Sequence, residues 1–170
     1  MAPALSSLLL AVGAFAVMEP VTAATHRWVM HGIGVRLHRS HHRAPSSATT
    51  RWEANDAYPV MFAAVVCLGL WIGFNQPGWA GLVPVGVGVT LYGVAYALVH
   101  DVYIHGRIGV FGARRFRVLD ELADAHRIHH LYNAAPYGML MPIVPRELRA
   151  RAAGTTRDPL RQRVATPPRA

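Results

Sequence analysis

The sequence predicts an all-α, integral membrane helical bundle of three to four transmembrane helices. Three observations carry that prediction. Only 15% of the residues are charged while 52% are hydrophobic, against about 25% charged residues in ordinary soluble domains. The apolar residues are concentrated in three long runs, and each run is bounded by turn residues or arginines. The chain of 170 residues is of single-domain length.

Taken in order, Leu5–Ala24 has the length of about 20 residues that a bilayer crossing needs, although Glu19 and Pro20 interrupt it. A cleaved signal peptide would open with a basic stretch. Met1–Pro3 has no charged side chain, so this run reads as a span. Ala57–Phe74 is uncharged, and Trp79–Val99 comes after it with Pro84 near its start. The tetrapeptide Asn75–Gly78 between them is a tight polar turn, which makes the two an antiparallel hairpin. Leu131–Pro145 is apolar but contains Pro136, Gly138, Pro142 and Pro145. Its expected form is a re-entrant or interfacial segment covering the site from one side, with a fourth crossing as the alternative. Residues 1–145 thus form the membrane domain. Residues 146–170, rich in Arg, Thr and Pro, are expected to be a basic, disordered tail, solvated or resting on anionic headgroups.

The net charge is +8 and every one of the 17 basic residues is arginine; the tail alone, with seven Arg against Glu147 and Asp158, supplies +5. No basic stretch is interleaved with aromatics in the manner of a nucleic-acid groove, so nucleic acid is not an expected partner. The first run is followed by Arg27, Arg36, Arg39, Arg43 and Arg51, and the third by Arg107, Arg114, Arg115 and Arg117. The turn at 75–78 has no charge. The positive-inside rule therefore places both Arg-rich segments in the cytoplasm. The single cysteine, Cys67, sits in an apolar run, which excludes an internal disulfide and a cysteine zinc motif.

The ten histidines are His26, His31, His38, His41, His42, His100, His105, His126, His129 and His130. Each half of the chain reads HxxxxH followed by HxxHH, so the pattern occurs twice. In HxxHH, three imidazoles share one region of a helix surface. In HxxxxH, positions i and i+5 lie about 140° apart on a regular helix. They share a locus only where the helix is locally irregular, as at a π-bulge, or else serve two metals. Imidazole suits Zn, Fe, Cu and Ni. Ten imidazoles exceed the needs of one ion, and two ions with four or five each would use them all. The spacing therefore points to a cytoplasmic, histidine-rich di-metal site. The ExxH signature of ferritin-like di-iron bundles is absent. Asp101 and Asp124, each close in sequence to a histidine, and Glu19 are candidate acceptors for ligand N–H groups, with Glu53, Asp56, Asp120 and Glu121 behind them. A metal transporter is the competing non-enzyme reading. It would want ligands near the bilayer midplane, whereas these sit at helix ends. A haem subunit would use two axial histidines and leave the rest unexplained.

The order HxxxxH, HxxHH, HDxxxH, HxxHH resembles the bacterial β-carotene hydroxylases, within the wider fatty-acid hydroxylase and sterol desaturase group of membrane di-iron enzymes. The likeness extends to Met18-Glu19, His26–Gly32, Leu37–His42, Asn55-Asp56 with Tyr58, Tyr92-Gly93 and Val99-His100-Asp101, covering roughly residues 15–130. Beyond His130 the sequence departs from that pattern. The resemblance implies two iron ions, O2 as co-substrate and electrons from reduced ferredoxin. It also implies a carotenoid substrate drawn from the bilayer of the bacterial inner membrane. The implied reaction is hydroxylation at C3 of the β-ionone ring, from β-carotene through β-cryptoxanthin to zeaxanthin. Fatty acyl or sterol substrates, and ring ketolation, fit the same histidine pattern. Zinc can take the place of iron in an isolated sample, because imidazole sites accept both.

Overall fold

The structure, a computed structural model, describes residues 3–42, 52–112 and 114–160. Arg43, Arg51 and the last ten residues of the expected tail lie outside the described residues.

Helix α1 (Pro3–Ala24) runs without interruption into a π-helical segment, Thr25–Ile33. Gly32, at φ −106° and ψ −113°, then breaks the helix and turns the chain into α2 (Val35–His42). A 3₁₀ turn, Ala54–Asp56, leads into α3 (Ala57–Asn75). After the turn come α4 (Leu82–Ala97) and a second π-helical segment, Leu98–Ile104. Helix α5 (Arg117–Tyr132) is next, ending on Asn133 in the left-handed conformation at φ 53°. Asn tolerates that conformation better than most residues.

Three continuous helices among the described residues are long and apolar enough to cross a membrane: Pro3–Ile33, Ala54–Asn75 and Leu82–Ile104, of 31, 22 and 23 residues. At 1.5 Å per residue, even the shortest reaches about 33 Å, which covers the ~30 Å hydrocarbon core. Helix α4 is central, with α1 and α3 packed against it. Glycine permits both contacts. A Cβ at Gly88 would strike the backbone of Ala11 in α1, and one at Gly86 would meet Leu70 of α3. Small residues at such crossings are how membrane helices approach closely. Outward-facing Leu8, Val12, Val65, Leu68 and Leu91 are exposed, as lipid-facing positions should be.

The buried interior is inverted relative to a soluble domain. Its apolar members are Tyr58, Tyr92, Ala125, Ile128, Met139 and Ala152, whereas seven histidines are buried. Imidazoles, not aliphatic side chains, form the centre of the assembly built at one end of the bundle by α2, the two π segments and α5.

Of the expected segment Leu131–Pro145, Leu131 and Tyr132 end α5, and residues 133–145 are irregular chain lying over the histidines, not the alternative fourth crossing. The segment from residue 146, expected to be disordered, begins with helix α6 (Arg146–Ala153). The sequence RELRARAA is rich in strong helix formers. Tertiary contact holds the helix too: Arg151 lies 4.5 Å over the Tyr132 ring of α5, and Ala152 is buried.

Candidate metal centre

The conflict between i,i+5 spacing and a shared locus is resolved by the backbone. The first HxxxxH motif lies within the π-helical segment Thr25–Ile33, and the second runs from the segment Leu98–Ile104 onto the residue that caps it, His105. His105 N–H donates to His100 O at 2.9 Å and Gly34 N–H to Val29 O at 2.8 Å. These are i→i+5 bonds, and the widened turn draws the rings together. Ring centroids are 4.9 Å apart for His26 and His31, and 4.6 Å for His100 and His105.

The ligand atoms gather into two groups. Site 1 comprises His26, His31, His38, His42 and His129; site 2 comprises His41, His105, His126 and His130. Within each group every ligand nitrogen lies within 4.8 Å of the others. His100 adjoins site 2, its Nε2 3.1 Å from that of His41.

Helix geometry explains the division. In HxxHH, the second histidine, at i+3, is about 60° behind the first and the third, at i+4, about 40° ahead of it, at 100° per residue. Positions i and i+4 therefore aim together, and i+3 aims elsewhere. On α2, His38 and His42 go to site 1 while His41 goes to site 2; on α5, His126 and His130 go to site 2 while His129 goes to site 1. Each half of the chain supplies most of one site and lends one histidine to the other.

The far nitrogens show why these groups suit cations. His26 Nδ1 is 3.0 Å from the carbonyl of Tyr137 and His129 Nδ1 is 2.6 Å from that of Ala134. His38 Nδ1 is 2.7 Å from Asn55 Oδ1. These oxygens only accept, so each Nδ1 carries the proton and donates it. In a neutral imidazole, Nε2 is then a bare lone pair. The Nε2 atoms of His26 and His38 nevertheless face each other at 3.1 Å. Two facing lone pairs repel unless a cation lies between them. In site 2 the groups behind the rings are carboxylates: Asp101 Oδ1 accepts from His100 Nδ1 at 3.2 Å, and Glu53 Oε2 stands 3.5 Å from His41 Nδ1, near enough for charge attraction and too far for a good hydrogen bond. Such contacts fix the tautomer and raise ligand basicity.

Protonation states agree. Burial, assisted by repulsion from neighbouring imidazoles, holds His41, His126 and His130 well below the ordinary histidine range. Burial also lowers His38 to about 4, opposed by its bond to Asn55, and pushes His129 down to about 2. At neutral pH these rings keep the lone pairs that a metal requires.

The candidate acceptors fare differently. Asp101 is where the sequence suggests, between His100 and Arg107, whose guanidinium lies 3.4 Å from it. Arg107 also binds both oxygens of Asp56, at 2.6 and 2.7 Å, which raises its own pKa. Asp124 is a correction: its carboxylate takes Arg127 at 2.8 Å on an exposed face. Two residues of helix separate it from His126 by about 200°. Glu19 is a second correction; it accepts from Tyr92 and from the backbone of residues 139–141. Asn55 enters the sequence reading only through the resemblance, with no role attached, and the carbonyls of Ala134 and Tyr137 carry no sequence signal. Trp28, Trp71 and Trp79 are exposed, and Tyr92 and Tyr96 line an apolar groove of about 550 Å³ between α1, α3 and α4 that ends at His100 and Asp101.

A bundle of membrane-spanning length with two imidazole clusters at one end is built to hold metal ions beside an apolar groove. The chain belongs to the fatty acid hydroxylase family, matching it over residues 11–148. It is similar to the β-carotene hydroxylase of Pseudescherichia vulneris, at 35% identity over 89% of this chain and 81% of that one. It is similar also to the β-carotene hydroxylases of Pantoea ananas (39% identity; 66% of this chain, 62% of that one) and Paracoccus sp. strain PC1 (34%; 74% and 75%). No solved structure matches the chain.

Proposed function

We propose that this chain hydroxylates carotenoids at C3 of the β-ionone ring, using two iron ions held by the ten histidines. The observation that carries the reading is the pair of clusters whose proton-free Nε2 atoms converge, in a chain of this family. Site 1 would take one iron on His26, His31, His38, His42 and His129. Site 2 would take the other on His41, His105, His126 and His130, with His100 beside them. Bound iron supplies the activation of O2 that no side chain can provide. The protein's own part is to hold the imidazoles neutral and oriented and to bring the substrate from lipid.

The groove between α1, α3 and α4 supports a bilayer-held substrate. Met18, Phe62, Val66, Leu70 and Tyr96 make its walls apolar, and polar groups appear at the end that holds His100. Its volume lies within the range of small-ligand pockets. The histidine end faces the cytoplasm in this reading, because Arg27, Arg36, Arg39, Arg107, Arg114, Arg115 and Arg117 lie at that end. Exposed Arg115 and Arg117, paired at 3.3 and 3.4 Å with Asp120 and Glu121, and neighbouring Arg114 offer a basic rim for an acidic ferredoxin.

Expression in a bacterial host that accumulates β-carotene tests the proposal. Zeaxanthin and β-cryptoxanthin should appear with the wild-type chain and be absent with His129→Ala. Unchanged β-carotene beside a folded, iron-loaded chain would move the assignment to acyl or sterol substrates.

A further inference from the structure

Two of the site 1 ligands are oriented by a segment with no regular structure. The carbonyls of Ala134 and Tyr137 accept the Nδ1 protons of His129 and His26, and the chain from residue 133 to 145 is neither helix nor strand. Repeating backbone hydrogen bonds do not hold these carbonyls in place. Residues 139–141, just beyond them in the chain, are held instead by a side chain of α1. Glu19 Oε1 accepts the N–H groups of Met139 and Met141, each at 2.9 Å. Glu19 Oε2 accepts Leu140 N–H at 3.1 Å and the Tyr92 hydroxyl at 2.6 Å. Two donors on each oxygen match the acceptor capacity of a carboxylate. Gly138 makes room for the grip, since a Cβ there would lie 2.6 Å from Glu19 Oε1. Met139 is buried beneath it.

We propose that Glu19 is a positioning residue for site 1: by gripping residues 139–141 from within α1, it fixes the Ala134 and Tyr137 carbonyls that orient His129 and His26. A carboxylate inside a membrane-spanning helix is costly to keep, and this is the role that retains it. Site 2 draws its orientation from Asp101 and Glu53, so the effect of Glu19 falls on one metal only. The inference rests on the reading that the histidines hold two metals, and not on the identity of the substrate.

The test is a titration of the purified full chain in detergent with Co(II), following affinity and stoichiometry by the visible spectrum. Glu19→Gln keeps the shape but places an amide nitrogen against two donors. Gly138→Ala leaves Glu19 and the spans intact and crowds the grip from the other side. Both are made in two backgrounds. His105→Ala leaves site 1 as the better site, and His31→Ala leaves site 2. We expect both variants to weaken cobalt binding roughly tenfold to hundredfold in the His105→Ala background, the usual cost of losing an orienting contact. They should change it less than about twofold in the His31→Ala background. Equal affinities in the His105→Ala background would overturn the proposal. So would parallel loss in both backgrounds with loss of helical circular dichroism, which would make Glu19 a general structural residue. A wild-type chain that binds no cobalt at all would overturn the di-metal reading and this inference with it.

Discussion

Sites 1 and 2 are built from the same motif order, but their rings are oriented by different chemistry. Site 1 leans on neutral acceptors: two backbone carbonyls and the Asn55 amide oxygen. Site 2 leans on carboxylates, Asp101 and Glu53, at 3.2 and 3.5 Å. A carboxylate behind an imidazole makes it a stronger donor. Two metals held here would therefore meet unequal ligand fields although the sequence writes both sites with the same letters. Site 2 should bind a divalent ion more tightly and give it up last under a chelator.

The largest effect should come from the exchanged histidines. His129→Ala should abolish hydroxylation and release the site 1 metal, although His129 lies in the second half of the chain. His41→Ala should abolish it and release the site 2 metal. Metal content measured in His105→Ala and His31→Ala backgrounds checks the assignment. Release of the metal belonging to the histidine's own half would break the exchange.

Next comes pH. His38, His41, His126, His129 and His130 all protonate less readily folded than at the ordinary value of 6.5. Below that value the unfolded chain binds more protons, so stability rises with pH. For the metal-free chain, the stabilisation should be full above about 6.5 and fall as pH drops toward 4, where folded His38 also protonates. For His129 the fall continues toward 2. Thermal melts between pH 7.5 and pH 5 check this, and a flat profile would contradict the buried neutral rings.

Smaller again, Asp101→Asn should weaken site 2 by roughly tenfold to hundredfold and leave site 1 unchanged. Asn55→Asp should tighten site 1 and narrow the gap between the two. Competitive chelation reads both. The smallest effect should be Arg107→Lys. Losing the two-pronged contact with Asp56 should cost about 1–2 kcal/mol of stability, read as a lower Tm with both metals retained.

Much of this is legible in the residues alone. The apolar runs mark the spans, and the 140° between i and i+5 leaves two options, service to two metals or the irregular turns found at His26–His31 and His100–His105. The split of each HxxHH corrects the expectation that its three imidazoles share one region: at 100° per residue, i and i+4 stay together and i+3 departs to the other site. Orientation by groups distant in sequence is not legible. Asn55, Tyr137 and Ala134 approach their histidines through tertiary contact, and a backbone carbonyl has no residue signature. Asp124 misleads because nearness in sequence is not nearness on a helix. Glu19 stands out in an apolar run, but its partners lie 120 residues away. Helix α6 is hidden by the Arg, Thr and Pro content of the residues around it.

The exchange of single histidines also sets a timetable. When the first half of the chain has emerged from the ribosome, four of the five site 1 ligands are present, and His41 points toward a site that does not yet exist. The second π segment, through the residue that caps it, brings His105 to that site, with His100 beside it. Helix α5 arrives last, and its one short stretch from His126 to His130 delivers ligands to both ions at once. Neither site has its full complement until α5 docks, so both would be completed by one event late in synthesis.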